Sequence, residues 1–383
     1  MTPATRPRQL DRSDAKTTAQ QRDPFRIGYI QDWGIGITAV DEMISAARMA
    51  FDDAYETGII DRPVELVVRE VDGMPLRQFH VMRDLYLDLV HEEHCIGIIG
   101  PHFTDQVTSL LPVIERERVP MLTMCSSADV PGEYCFTLGN ISTTDEAVVM
   151  AEYLHRQGAK AVAVLREDNY LGQEFNTYFR AAAKRLSLPV VADRVLPAFV
   201  DAHAAQDEVA PLRTAEADAI VYMGLGLTAQ QVLTTVNDMT SAEWNPIRLC
   251  SSIFVGWPLD GFFGLTVGSY EGWIGTDEFD ERNDVFASLR ERFAAKDQGD
   301  TWRPHCYAPL GYDVGQATAW GLHMAKPHDP EGLKRGLEQV HRLPAAAGSP
   351  GTYISFGRHD RRGYKGPFVV LRRIRNGHCE LVS

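Results

Sequence analysis

GIIGPHFTDQVTSLLPVIERERVPMLT, residues 97–123, is the stretch from which the fold of this chain is read. It opens inside CIGIIG (95–100), a run with little polar character, which suits a parallel strand covered on both faces. Gly100-Pro101 punctuates that run, a helix is expected near 104–117, and PMLTM (120–124) reads as the next strand. Strand, helix and strand in direct succession are the repeating unit of an α/β sheet.

The same unit recurs on both sides. Upstream, FRIGYI (25–30) is a strand, and Val40, Ile44, Ala47 and Phe51 mark one face of a helix that Gly58 is placed to end. VELVVREV (64–71) is a strand, and Phe79, Met82, Leu85 and Leu89 form the next helical stripe. After a link near 135–141 the alternation restarts. Ala147, Val148, Ala151 and Leu154 lie on a helix closed by Gly158, AVAVLRE (161–167) is a strand, and a helix follows near 172–186. VVADRVL (190–196), a further helix and ADAIVYMG (217–224) continue the series. Two series of one design predict two doubly wound, Rossmann-like α/β lobes. The last third differs, with helices near 283–296, 310–325 and 330–341, then strands GTYISF (351–356) and GPFVVLRRI (366–374). Asn376-Gly377 after the last strand signals a hairpin.

A length of 383 residues suits two domains of ~150–200 rather than one core. A hydrophobic content of 44% is that of packed, globular chains. The 38 basic residues against 52 acidic ones leave a formal charge of −14, which argues against nucleic acid or an anionic membrane surface as the main partner. A local basic cluster (Arg358, Arg361, Arg362, Lys365, Arg372, Arg373, Arg375) reads as the solvated surface of a hairpin. No run approaches the ~20 apolar residues of a membrane span. Residues 1–24 form a polar tail without the apolar core of a secretory signal peptide. As it stands this predicts a cytoplasmic location, and a periplasmic one if a signal was trimmed. The cysteines at 95, 125, 135, 250, 306 and 379 have no CxxC spacing and read as free, buried thiols.

In an open α/β sheet the functional loops follow the carboxyl ends of the strands. Here these are Gln31-Asp32-Trp33-Gly34-Ile35-Gly36-Ile37-Thr38, Gly100-Pro101-His102-Phe103-Thr104, Cys125-Ser126-Ser127-Ala128, Asp168-Asn169-Tyr170-Leu171-Gly172 and the strand end at Gly224. Hydroxyls and backbone N–H groups at helix starts suit an anionic head such as a carboxylate, and aromatic side chains suit an apolar remainder. A dinucleotide fingerprint is incomplete, because Gly34-x-Gly36 and Gly224-x-Gly226 are followed by Ala39 and Ala229 where the third glycine belongs. No P-loop or G-x-S-x-G elbow occurs, and His91 and His94 stand three apart rather than the four a zincin needs. His102, His305 and Cys125 share no spacing signature of a Cys/His pair. No cofactor, metal or catalytic residue is therefore predicted.

These segments, in this order, resemble the type I periplasmic-binding-protein fold, specifically its branched-chain amino acid/amide-binding (leucine-binding-protein-like) family. The stretches that carry the resemblance are FRIGYIQDWGIGITAV, the opening block, VAVLREDNYLGQEFNTYFRAA, GSYEGWIGTDEF and LGYDVGQATAWGL, within residues 25–376. The resemblance implies two lobes joined by three crossovers, near 140, 276 and 346. Lobe 1 is then 25–140 plus 277–345, and lobe 2 is 141–276 plus 347–383. It implies that Thr104, Ser126 and Ser127 hold the ligand's carboxylate or amide head and that Glu271 meets a ligand ammonium. Tyr170 and Leu171 fall where an aromatic contact is common, and Trp33, His102, Phe103 and Gly224 complete the expected lining. Structural alternatives stand beside these roles: helix capping for Thr104, Ser126, Ser127 and Asp168, core packing for Trp33, and a surface acid for Glu271. The function implied is hinge closure on an amino acid, an amide or an aromatic or lipophilic acid. Its partner is an ABC permease if the chain is an importer component, or a regulator protein if it is a cytoplasmic sensor. An enzyme on a Rossmann-like scaffold is the remaining alternative.

Overall fold

The structure, a computed structural model, describes residues 22–33, 38–72, 78–140, 142–197, 200–224, 226, 228–251, 267–294 and 307–382. The loop residues Gly34 to Ile37, most of the N-terminal tail, and His305 and Cys306 lie outside them.

The chain begins with β1 (Phe25–Gln31), α1 (Thr38–Glu56), β2 (Val64–Glu70), α2 (Phe79–His91), β3 (Gly97–Ile99), α3 (Thr104–Glu117), β4 (Met121–Thr123) and β5 (Cys135–Thr137). The strands form a parallel sheet in the order β2-β1-β3-β4-β5. Side chains on one face of β1, among them Ile27 and Tyr29, join the core that includes Met43, Ala47 and Phe51 of α1. Ile30, Ile98 and Met121 point the other way, into a core with Met82 and Leu89 of α2 and Leu110 of α3. Both faces are covered, which is why these strands contain so few polar residues. The segment read as a link at 135–141 contains β5, a three-residue strand too short to declare itself by alternation.

The second lobe repeats the plan with α4 (Thr143–Arg156), β6 (Val162–Glu167), α5 (Tyr170–Arg185), β7 (Val190–Leu196), α6 (Ala202–Thr214), β8 (Ala219–Met223), α7 (Ala229–Met239), β9 (Ile247–Cys250) and β10 (Ile274–Asp277). Its parallel strands run in the order β7-β6-β8-β9-β10, the strand order of the first sheet. The chain then supplies α8 (Asp284–Ala294), α9 (Ala308–Met324) and α10 (Pro330–Leu337). Helix α9 packs closely along α1 of the first lobe. A Cβ on Gly311 would stand 2.0 Å from the Met43 carbonyl oxygen, so the missing side chain sets that close approach.

A small sheet follows, of β11 (Leu343–Pro344), β12 (Tyr353–Ile354) and β13 (Tyr364–Lys365), and finally β14 (Val370–Arg375) and β15 (His378–Leu381). The last two extend the second sheet antiparallel beyond β10. They are joined by Asn376 (φ 52°) and Gly377 (φ 72°), the positive angles that a two-residue primed turn requires.

The chain beyond position 346, where a crossover was expected, keeps backbone bonds to the first sheet. Gly363 N–H donates to the Thr137 carbonyl at 2.7 Å, and Thr137 N–H donates to that of Arg361 at 2.8 Å. The segment is thus tied to the edge of the first sheet through Gly363, and the chain joins the second sheet only at β14. Backbone bonding of this kind is invisible in the side-chain pattern. The basic cluster is also not a solvated surface throughout. Arg361 is buried against Glu338 at 2.6 Å, and Arg372 is buried against Asp277 at 2.8 Å. Arg372 also donates to the Phe279 carbonyl at 3.1 Å, clamping β14 to the segment that leaves β10.

Candidate functional site

At the first sheet's carboxyl edge the loop after β1 organises the loop after β3. Asp32 is buried and accepts from the backbone N–H of His102 (2.8 Å) and of Phe103 (3.1 Å). Burial raises its carboxyl to about 6, against the pull of those two bonds. Gly100 (φ 75°) makes the turn possible, because a Cβ there would lie 2.1 Å from the Ile30 carbonyl oxygen. The His102 ring packs edge-on against Tyr29 and Trp33, with centroids 5.6 and 6.1 Å apart, and Trp33 meets Tyr307 at 5.6 Å. Burial lowers the His102 imidazole to about 3, so it is neutral near pH 7.

Thr104 is the first residue of α3 and is buried, and Phe103 is its N-cap without a side-chain cap bond. Ser126 is buried after β4, beside a small cavity of about 20 Å³ lined by Cys125, Thr137, Ser142, Arg362 and Tyr364. Cys125 donates its S–H to the His102 carbonyl at 2.9 Å. Thr104 places a hydroxyl at the start of α3 and Ser126 adds one from the loop after β4, a setting that suits an anionic or strongly polar group.

Across from it, the second sheet's edge is held by Glu167. This buried carboxylate accepts from the Tyr222 hydroxyl (2.5 Å), the Thr228 N–H (3.2 Å) and the Asn169 amide (2.7 Å). The two edges touch directly. The Tyr170 hydroxyl donates to Asp129 at 2.5 Å, and Glu174 accepts from the Ser127 hydroxyl (3.2 Å) and from Ala128 N–H (3.0 Å). Burial raises the Glu174 carboxyl.

The structure thus gathers Trp33, His102, Phe103, Thr104, Ser126, Ser127 and Tyr170 around one edge and its inter-lobe contact. Besides Ser127, whose hydroxyl donates to Glu174, three expected residues are elsewhere or otherwise engaged. Leu171 is buried in the hydrophobic core with Phe175 and Phe179. A Cβ on Gly224 would stand 2.4 Å from Glu167, so this glycine makes room for a carboxylate of the protein. Glu271 lies at the opposite, amino-terminal end of the second sheet, where it accepts from the N–H groups of Asn376 (2.8 Å) and Gly377 (3.2 Å). It precedes β10, and a residue that precedes a parallel strand stands away from the edge where the loops converge. The capping role read for Asp168 belongs to Asn169, whose side chain accepts from Gly172 N–H at 2.9 Å. Sequence reading missed Glu167, Glu174 and Tyr307. Acids at a strand end and within the first turns of a helix are common in sequence, and only the packing reveals their partners.

Two similar sheets with their loop-bearing edges in contact define a two-lobed binding architecture. The periplasmic binding protein family matches residues 24–370, and the chain belongs to that family of ligand-binding proteins. Its fold is the type I arrangement. A type 1 periplasmic binding protein of Bordetella pertussis superposes with a TM-score of 0.76 at 18% identity, covering 94% of this chain and 100% of that one. The leucine-binding protein LivK of Thermotoga maritima gives 0.72 at 17% identity over 94% and 97%. The branched-chain amino acid substrate-binding protein LivJ of Streptococcus pneumoniae, solved with isoleucine, gives 0.74 at 17% over 94% and 99%. At these identities the likeness is one of fold. No curated protein matches the chain by sequence. Among the described residues no helix is long and apolar enough to cross a membrane.

Proposed function

We propose that the chain binds a small organic molecule of the amino-acid type between its lobes and acts as the substrate-binding component of an ABC importer. The observation that carries this reading is the contact of the two loop-bearing edges through Tyr170–Asp129 and Glu174–Ser127. Thr104 and Ser126 stand beside that contact, both buried after the first sheet's strands. Hydroxyls at a helix start suit a carboxylate head, and Trp33 and Phe103 suit an apolar remainder. The neighbours determined with leucine or isoleucine support an amino acid as the first class to test. The role is binding without covalent change, and delivery to a permease places the protein outside the cytoplasm.

Isothermal titration of protein refolded free of ligand against the twenty amino acids tests this. Binding in the micromolar range or tighter is expected for at least one. Thr104→Val and Ser126→Ala are each expected to weaken it about tenfold, the loss of one hydrogen bond to a charged group. Heat from none of the twenty, with no small molecule retained in native mass spectrometry, removes the amino-acid reading.

A further inference from the structure

Tyr29 Oη, Gln31 Nε2 and His102 Nε2 are buried and have no hydrogen-bond partner among the described residues. Tyr29 and Gln31 alternate onto one face of β1, and Trp33 follows just beyond its end. The His102 ring lies against Tyr29 and Trp33, which brings it to the end of β1 that carries Gln31. Tyr29 and Gln31 have no exposed surface, and His102 retains only 3%.

The neighbours set the polarity of these atoms. His102 Nδ1 accepts from Met124 N–H at 3.4 Å, so the proton of the neutral ring sits on Nε2. Gln31 Oε1 accepts from Trp33 N–H at 3.0 Å, which leaves its amide nitrogen as the free end. The Tyr29 hydroxyl can donate as well. Three buried donors at the end of β1 and the loop after β3 therefore have no acceptor among the described residues, an arrangement that native interiors avoid unless something else supplies one.

We propose that Tyr29, Gln31 and His102 form a subsite that receives an uncharged carbonyl oxygen of the bound ligand. The subsite rests on the cleft reading above and lies apart from the Thr104–Ser126 hydroxyls. A carbonyl oxygen is favoured over a carboxylate because all three donors are neutral. Asp32 also lies close enough to Tyr29 to oppose a second negative charge.

Two measurements on the full chain, refolded free of ligand, test the subsite. The first is the melting temperature of Tyr29→Phe, which removes only the unpartnered hydroxyl. A rise of about 1–3 °C is expected, whereas a fall means that the hydroxyl is already satisfied and overturns the subsite. The second titrates L-asparagine and L-leucine, which match in shape but differ in the side-chain carbonyl. The natural protein is expected to favour asparagine at least tenfold. His102→Leu and Gln31→Met should erase that preference by lowering asparagine affinity at least tenfold, more than they lower leucine affinity. Leucine bound as tightly as asparagine overturns the subsite and leaves the amino-acid reading intact. Binding of neither counts against the amino-acid reading, and the direction of the Tyr29→Phe shift then supports or overturns the subsite.

Discussion

At the scale of single residues, buried carboxylates do the organising. Asp32 holds the loop after β3. Asp313 of α9 accepts from Ala346 N–H (2.7 Å), Ala347 N–H (2.9 Å), Gln316 (2.7 Å) and the Tyr364 hydroxyl (2.9 Å), fixing the segment that runs past the second crossover. Burial raises its carboxyl to about 6, outweighing these four bonds. The unfolded value is ~3.9, so between roughly pH 4 and 6 the folded chain holds the extra proton. The stability that Asp313 contributes is therefore present at the low end of this window and falls as pH rises through about 6. Asp313→Asn should remove that slope. The variant is expected to gain on the natural protein between pH 4 and pH 7 by on the order of 2–3 kcal/mol, the product of the shift and ~1.4 kcal/mol per unit. Melting curves of both proteins across this range check it, and parallel curves would refute the assignment. Asp313 sits amid GYDVGQATAW, where helical periodicity is readable from sequence. Its burial is not readable, because the four donors come from α9 itself and two distant segments.

At the scale of elements, the lobe contact depends on the first two turns of α5 and the loop after β4. Tyr170 and Glu174 stand four apart, on one face of the helix, and reach Asp129, Ser127 and Ala128. Ser127 was expected to hold the ligand head, but its hydroxyl is taken by a carboxylate of the protein. Bonds between lobes favour the closed form before any ligand binds, and a ligand that needs that form is then held more tightly. The double variant Tyr170→Phe, Glu174→Ala should weaken whatever ligand the titrations identify by about tenfold. The change should fall mainly in the dissociation rate, and melting of the ligand-free chain should shift only slightly. Unchanged affinity in surface-plasmon measurements would show that the contact plays no part in closure. The helix itself was legible from the apolar stripe of α5. Its partner was not, since a contact across 46 residues (128 to 174) has no local pattern.

At the scale of the whole molecule, three segments that run beside the sheets are each pinned from outside themselves. The segment after β10 is held by Arg372, the one near 346 by Asp313, and β13 is held to β5 through Thr137 and Gly363. Rigid lobes on short, well-anchored connections favour hinge motion over deformation within a lobe. Adding a saturating ligand should therefore reduce the radius of gyration measured by small-angle scattering, with little change in helical circular dichroism. An identical scattering profile with and without a bound ligand would exclude hinge closure as the binding response.

The order of strands and helices, the repetition of one α/β plan and the hairpin at Asn376-Gly377 follow from the sequence alone. Local periodicity, glycine placement and turn chemistry act between near neighbours, and near neighbours are what a sequence displays. The strand β5, the bonding of Gly363 to the first sheet, the burial of Arg361 and Arg372 and the placement of Glu271 at the amino-terminal end of its sheet were decided by the tertiary structure. Each rests on hydrogen bonds or ion pairs between distant segments, or on which end of a strand a residue occupies. The candidate site divides along the same line. Thr104 and Ser126 could be read as hydroxyls that follow strands, whereas the unpartnered donors of Tyr29, Gln31 and His102 become visible only when the surrounding atoms show what they lack.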